Sequence, residues 1–237
     1  MTSAVPSAQD PLHPLLVWLR SVLPPEAGLS GGPIGDPPPG PYPEEEALVA
    51  RAVEVRVREF RAGRAHAREA LLQIGRPPAA ILRGAGGEPL WPADCVGAIA
   101  HDQACAVAAA GARRDFAALG IDVESATPLD ADLVRLVAGP DELAAAAQAL
   151  LDSLDAAKCL FVAKECVIKA LGGPGRAPPD FRQIRLAVSP SEDEALTFRL
   201  SAPIPGLDPR AIGHLGWRGE RLAAIMCVPA AGSRIGG

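Results

Sequence analysis

The chain has 237 residues, enough for one large domain or two of modest size. Hydrophobic residues make up 49%, which excludes global disorder, and a formal net charge of −5 argues against generic nucleic-acid binding by the molecule as a whole. Five cysteines (Cys95, Cys105, Cys159, Cys166 and Cys227) form no C-x-x-C pair, and the odd count argues against a disulfide framework or a zinc site. Reduced thiols are the simpler reading.

The first ten residues lack the basic start and long apolar run of a secretory signal, so a cytoplasmic location is expected. Residues 12–23 read as a short amphipathic helix with Leu15, Leu16, Leu19 and Leu23 on its apolar side. That segment is too short to span a bilayer, and His13, Pro14 and Arg20 interrupt it. The proline- and glycine-rich stretch 24–43 reads as an irregular exposed loop. Residues 44–74 then read as one long helix, ended by Gly75-Arg76-Pro77-Pro78, with Gly63 as a point of kinking or breakage. This stretch is rich in arginine: Arg51, Arg56, Arg58, Arg61, Arg64 and Arg68, with Arg76 and Arg83 beyond it. Guanidinium forks suit phosphate oxygens, and they equally suit ion pairs with Glu54, Glu59 and Glu69 on a solvated helix.

Residues 79–82 read as a strand, and Gly84-Ala85-Gly86-Gly87 as a tight turn that lets a ligand approach the backbone closely. Residues 96–101 form a second strand ending in His101, with 105–110 as its partner. The strand at 119–124 is the centre of the pattern. Side chains alternate across a strand, so Asp122 and Glu124 share one face, where two carboxylates repel unless a cation sits between them. A hard divalent cation is one answer and a solvated strand end the other. Short alanine-rich helices follow at 129–137 and 141–151, then a helix at 152–171 stopped by Gly172-Gly173-Pro174-Gly175. In it Glu165 and Lys169 lie one turn apart on one face, as an ordinary ion pair or as part of a metal-phosphate site. Segments 181–188, 195–201, 213–218 and 222–228 read as an antiparallel meander, and 232–237 as a loose tail.

Set together, these residues resemble the 4'-phosphopantetheinyl transferases. The resemblance is to the monomeric branch to which enterobactin synthetase component D and the actinobacterial enzymes belong. It runs from about Pro43 to Val228 through Arg58-Glu59-Phe60, Gly63-Arg64, Ala67-Arg68, Ile81-Leu82-Arg83-Gly84 and Gly87-Glu88-Pro89-Leu90-Trp91-Pro92. Gly97 to His101, Gly120-Ile121-Asp122-Val123-Glu124, and the Lys164-Glu165-x-x-x-Lys169-Ala170 run complete it. The resemblance implies an α+β fold of two pseudo-symmetric α/β halves, each an antiparallel sheet with a long helix packed on it. The expected boundaries are a helix and loop at 1–43, halves at 44–118 and 119–230, and a tail at 231–237.

The implied reaction moves the phosphopantetheine arm of coenzyme A to a serine of an acyl or peptidyl carrier protein. By resemblance, Asp122, Glu124 and Glu165 would hold Mg²⁺, with Mn²⁺ as the alternative. Arg56, Arg64, Arg83 and His101 would face the coenzyme A phosphates, with Gly84, Ala85 and Gly86 near the nucleotide and Lys169 at the pyrophosphate. Glu165, Lys169 and His101 would carry the chemistry. A monomer is implied, with no nucleic-acid or membrane partner.

Four positions depart from the family pattern, one of them Val162, which replaces a small polar residue beside Lys164-Glu165. Ala100 stands at a coenzyme A-binding position where serine or threonine is usual, Ala98 replaces another serine, and Asp102 follows the histidine in place of a small residue. A lost hydroxyl removes one hydrogen bond, about 0.5–1.5 kcal/mol. A carboxylate pointing inward would repel phosphate. The competing readings are a degenerate relative that binds coenzyme A or a carrier protein without catalysis, and an arginine-helix nucleic-acid binder. The second is disfavoured by the acidic total charge and the lack of aromatic stacking residues.

Overall fold

The structure is a computed structural model that describes residues 12–150, 154–173, 177–191 and 195–233. Helix α1 (His13–Val22) is followed by strand β1 (Gly28–Pro33), a short helix α2 (Pro43–Ala47) and the long helix α3 (Glu54–Gln73). A two-strand hairpin, β2 (Leu82–Arg83) and β3 (Pro89–Leu90), leads to β4 (Cys95–His101), β5 (Cys105–Ala112) and β6 (Phe116–Ser125). Helices α4 (Ala131–Val137), α5 (Pro140–Ala149) and α6 (Ala156–Leu171) come next, then β7 (Leu186–Pro190), β8 (Ala195–Leu200), β9 (Ile212–Arg218) and β10 (Arg221–Pro229).

The strands build two main antiparallel sheets, one ordered β1-β5-β4 and one ordered β6-β10-β9-β8-β7. Helix α3 packs on the first sheet through Ala67, Ala70 and Leu71, against Ala108 and Ala110 of β5. Helix α6 packs on the second through Ala163, Cys166, Val167 and Ala170, against Ala118, Ala224 and Met226. A third core joins the sheets: Ala98 and Ala100 of β4, Val107 and Ala109 of β5, and Leu119, Ile121 and Val123 of β6. Leu15, Trp18 and Leu19 of α1 complete that core. The α+β class with a long helix on each sheet is therefore observed. β4 and β6 are edge strands of their sheets and lie next to each other, so the two layers meet along them.

Four expectations need correction. Residues 24–43 are not all loop, because Gly28–Pro33 pairs with β5 in full register from Gly28↔Ala110 to Pro33↔Cys105. Pro33 sits at the end of an edge strand, where a missing N–H is tolerated. The helix expected over 44–74 is two helices, and the break falls before Val53 rather than at Gly63. Folding back at the break lets the buried Glu45 carboxylate accept from Arg68 at 2.6 Å and from the Ile81 backbone N–H at 2.7 Å. Gly63 lies inside an unbroken helix because Ile99 of β4 packs where its Cβ would be, at 2.8 Å.

The strand expected at 79–82 shrinks to Leu82–Arg83, the two residues that face Pro89 and Leu90. The strand expected from residue 181 begins with a 3-10 turn, Phe181–Gln183, capped by Asp180. The junction of the helices expected at 141–151 and 152–171, part of the glycine-proline stop after Leu171, and most of the tail lie outside the described residues. Among the described residues no helix is long and apolar enough to cross a membrane.

Candidate active site

Two adjoining clefts open where the layers meet. The larger, about 360 Å³, is lined by Gly86, Gly87, Glu88 and Trp91 from the β2–β3 hairpin and its exit, Gly97 and Ile99 from β4, and Glu165, Ile168 and Lys169 from α6. The smaller, about 110 Å³, is lined by Arg56, Glu59, Phe60 and Arg64 from α3, with Arg83, Gly87, Ile99 and His101. They share Gly87, Pro89 and Ile99, so an extended ligand can run from one into the other.

In the smaller cleft the arginines are already oriented. Arg64 is 7% exposed, stacks on the Phe60 ring at 4.5 Å, and donates from Nε to the Ile81 carbonyl at 2.6 Å. Burial pulls its pKa down to about 10, which still leaves it charged at neutral pH. Arg56 donates to His101 Nε2 at 2.8 Å and pairs with Glu59 at 3.1 Å. A guanidinium only donates, so His101 Nε2 is the acceptor and the neutral ring carries its proton on Nδ1, 3.7 Å from Glu59. Burial lowers the His101 pKa; Glu59 opposes that, while Arg56 and Lys169 add to it.

Of the three acids only Glu165 lines the larger cleft; Asp122 lies behind Lys169, 3% exposed, and its Oδ1 accepts from Lys169 Nζ at 2.5 Å. Burial pushes the Asp122 carboxyl up to about 6 against the pull of Lys169, and Glu165 and Glu124 push the same way. Burial also raises Glu165, opposed by Lys169 and helped by Glu124. Lys169 feels burial pulling its ammonium down, but Asp122 and Glu165 outweigh it and hold the group above its ordinary value. Glu124 accepts from Lys158 at 2.8 Å. The three acids, from one strand and one helix, therefore share one electrostatic neighbourhood.

Among the described residues no three His, Cys, Asp or Glu side chains stand together as a group that could hold a metal ion, and lysines pair with two of the acids. The donor chemistry nevertheless fits a hard cation. Asp122 Oδ2 is buried with no hydrogen-bond partner, an orphan acceptor beside two further carboxylates.

Arg56, Arg64, Arg83 and His101 thus meet in one cleft, and Gly86, Glu165 and Lys169 in the other. Gly84 and Ala85 line neither; Gly84 leaves room for the Glu88 carboxylate that folds over the turn. Ala100 is 1% exposed on the opposite face of β4, within the core between the sheets. Asp102 does not point into the arginine cleft. Its Oδ1 accepts from Ala104 and Cys105 N–H, both at 2.7 Å, and its Oδ2 from Arg221 Nε at 3.1 Å.

Two residues not expected in the site belong to it: Glu59, read from the sequence only as an ion-pair partner of the arginines, and Lys158, not singled out at all. Each carried a signal in its spacing. Glu59 is three residues after Arg56, and Lys158 precedes Glu165 by seven, two turns up the same helix face. Lys164 faces the other way, fully buried, donating to Glu142 at 2.9 Å and to the Val137 and Phe181 carbonyls.

The chain belongs to the 4'-phosphopantetheinyl transferases. The family models for the 4'-phosphopantetheinyl transferase N-terminal domain and for the 4'-phosphopantetheinyl transferase superfamily match residues 44–111 and 118–213. The chain is 39% identical to the 4'-phosphopantetheinyl transferase Svp of Streptomyces mobaraensis over 167 residues, 70% of this chain and 67% of that protein. Against PptT of Mycobacterium tuberculosis identity is 40%, over 56% of this chain and 60% of that protein. Against Npt of Nocardia iowensis it is 37%, over 54% and 58%. These are actinobacterial transferases, and this chain is a transferase of the same class.

Proposed function

We propose that the protein transfers the 4'-phosphopantetheine arm of coenzyme A to a serine of an acyl or peptidyl carrier protein, releasing adenosine 3',5'-bisphosphate. The observation that carries this is the pair of joined clefts: an arginine-histidine end suited to a phosphate, opening into an acid-lysine end suited to a diphosphate. Arg56, Arg64, Arg83 and His101 take the 3'-phosphate as guanidinium and imidazole donors. Trp91 Nε1 and the Glu88 carboxylate, buried without partners, supply donor and acceptors along the passage between.

Asp122, Glu124 and Glu165 are the residues that would hold Mg²⁺ or Mn²⁺. The ion supplies charge neutralisation of the diphosphate oxygens. The serine oxygen attacks the phosphorus next to the pantetheine arm, and the bond from that phosphorus to the bridging oxygen breaks. Glu165, raised above the usual carboxylate range, accepts the serine proton. Lys169 stays an ammonium and balances the charge that builds on the leaving phosphate. Acidic carrier surfaces suit the exposed Arg83 and the half-buried Arg56 at the opening. Asp102 does not contest the phosphate, because Arg221 and two backbone N–H groups hold its carboxylate away.

The test is mass analysis of apo carrier proteins incubated with the protein, coenzyme A and Mg²⁺. Gain of one phosphopantetheine, abolished by Glu165→Gln, supports transfer. No gain across a panel of acyl and peptidyl carriers refutes it.

A further inference from the structure

Arg56, Arg64 and His101 of the smaller cleft stand on the first layer and the acid-lysine cluster on the second, so the contacts between the layers fix the distance between the two sets. His101 ends β4 in the first sheet, and Glu124 lies near the end of β6 in the second. The residue after His101 is Asp102. Its carboxylate does two things at once. Oδ1 closes the β4–β5 turn by accepting from Ala104 and Cys105 N–H, and Oδ2 accepts from Arg221 Nε, 119 residues further along the chain.

Arg221 opens β10, directly opposite Ser125 of β6, and the next pair in that ladder is Leu222 with Glu124. One hydrogen-bonded ion pair therefore ties the turn beside His101 to the strand pair that carries Glu124. Both partners are largely shielded, with side chains 11% and 20% exposed, so solvent screens the pair only in part. The Asp102 carboxyl is held below its usual range: burial pushes it up, but the two N–H donors and Arg221 outweigh that.

We infer that Asp102 and Arg221 are positioning residues, a latch that sets the span between the arginine cleft and the acid-lysine cluster. The inference rests on the proposed reaction, in which one donor molecule occupies both. Neither residue lines either cleft. Their effect reaches the ligand through the placement of His101 relative to the acid-lysine cluster, which keeps its own geometry. A donor that uses both clefts feels a change in the span. A donor that engages only the acid-lysine end does not.

Coenzyme A and dephospho-coenzyme A separate the two cases, since the second lacks the 3'-phosphate. Asp102→Asn keeps an oxygen for the turn and removes the charge facing Arg221. It should raise KM for coenzyme A about tenfold and change KM for dephospho-coenzyme A by less than about twofold. Arg221→Met should do the same, and the double variant should be no worse than either single one. A role in stability alone would shift both donors together with the melting temperature. Equal KM changes for the two donors, or a wild-type KM for coenzyme A in both single variants, overturns the latch. Wild-type protein that transfers nothing overturns the proposed reaction instead. Calorimetric binding of the two donors then makes the same comparison without turnover and decides the latch on its own.

Discussion

Gly120 sits in β6 two residues before Asp122, where α6 crosses closest to the sheet. A Cβ built there would lie 2.1 Å from the Cys166 carbonyl oxygen and 2.9 Å from Ala170 Cβ. Ordinary contact begins at 3.4 Å, so in Gly120→Ala the helix must retreat by about 1.3 Å at this crossing. Backbone meets side chain here, and no flexible end can swing aside. Glu165 and Lys169 flank Cys166 on that helix, and the Lys169–Asp122 contact of 2.5 Å would open to about 3.8 Å, beyond hydrogen-bond length. Misplacement of reacting groups by about 1 Å costs on the order of 100-fold in rate. Overpacking of this kind costs about 1–3 kcal/mol, which a domain of ordinary stability survives. The variant should therefore remain folded by circular dichroism, melt lower, and modify carrier protein about 100-fold more slowly in a mass-shift time course. Turnover within about twofold of wild type in a folded variant would refute the claim that the β6–α6 approach sets the site.

Asp122 ties stability to pH. Burial lifts its carboxyl from an ordinary 3.8 to about 6 in the fold, so its contribution is full below pH 3.8 and is lost as pH rises through 6. Two units amount to about 3 kcal/mol. Urea titrations from pH 3.8 to 7 should show wild-type stability falling relative to Asp122→Asn by about that much, and parallel curves would contradict it. Lys164→Met strips the partner from the buried Glu142 carboxylate and should cost about 3–5 kcal/mol by urea unfolding. Adding Glu142→Gln should restore a large part of that loss, and no recovery would show the pair is not coupled. Arg56→Ala removes a donor from the phosphate cleft and frees His101 Nε2; steady-state kinetics should show KM for coenzyme A raised about tenfold with kcat nearly unchanged.

The helical spacing of Glu165 and Lys169, and the alternation of Asp122 with Glu124, were legible because period alone puts those side chains on shared faces. The meander of β7 to β10 was legible for the same reason. Strand β1 was not. Gly28-Leu29-Ser30-Gly31-Gly32-Pro33 carries little strand propensity, and it is extended because β5 offers it a continuous ladder. The break before Val53 was hidden too, because what fixes it is the distant pairing of Glu45 with Arg68 and Ile81. Asp102 looked like a threat to an anion beside His101, since no local pattern reveals a partner 119 residues away.

Charge separation within the site explains why it needs both layers. At the α6 end three carboxylates, Asp122, Glu124 and Glu165, face two ammonium groups, Lys158 and Lys169, leaving an excess of negative charge. At the α3 end Arg56, Arg64 and Arg83 face one carboxylate, Glu59, with a histidine that burial keeps neutral, leaving an excess of positive charge. A single strand-and-helix layer carrying both sets would let them neutralise each other by direct pairing. Placed on separate layers, they stay apart, and the passage between them has cation-seeking and anion-seeking ends. On the proposed reaction, a donor with a lone phosphate at one end and a cation-neutralised diphosphate further along would match that polarity in one orientation. Reversed, it would set a bare phosphate against the acids, so the proposed donor would lie with its lone phosphate at the arginines.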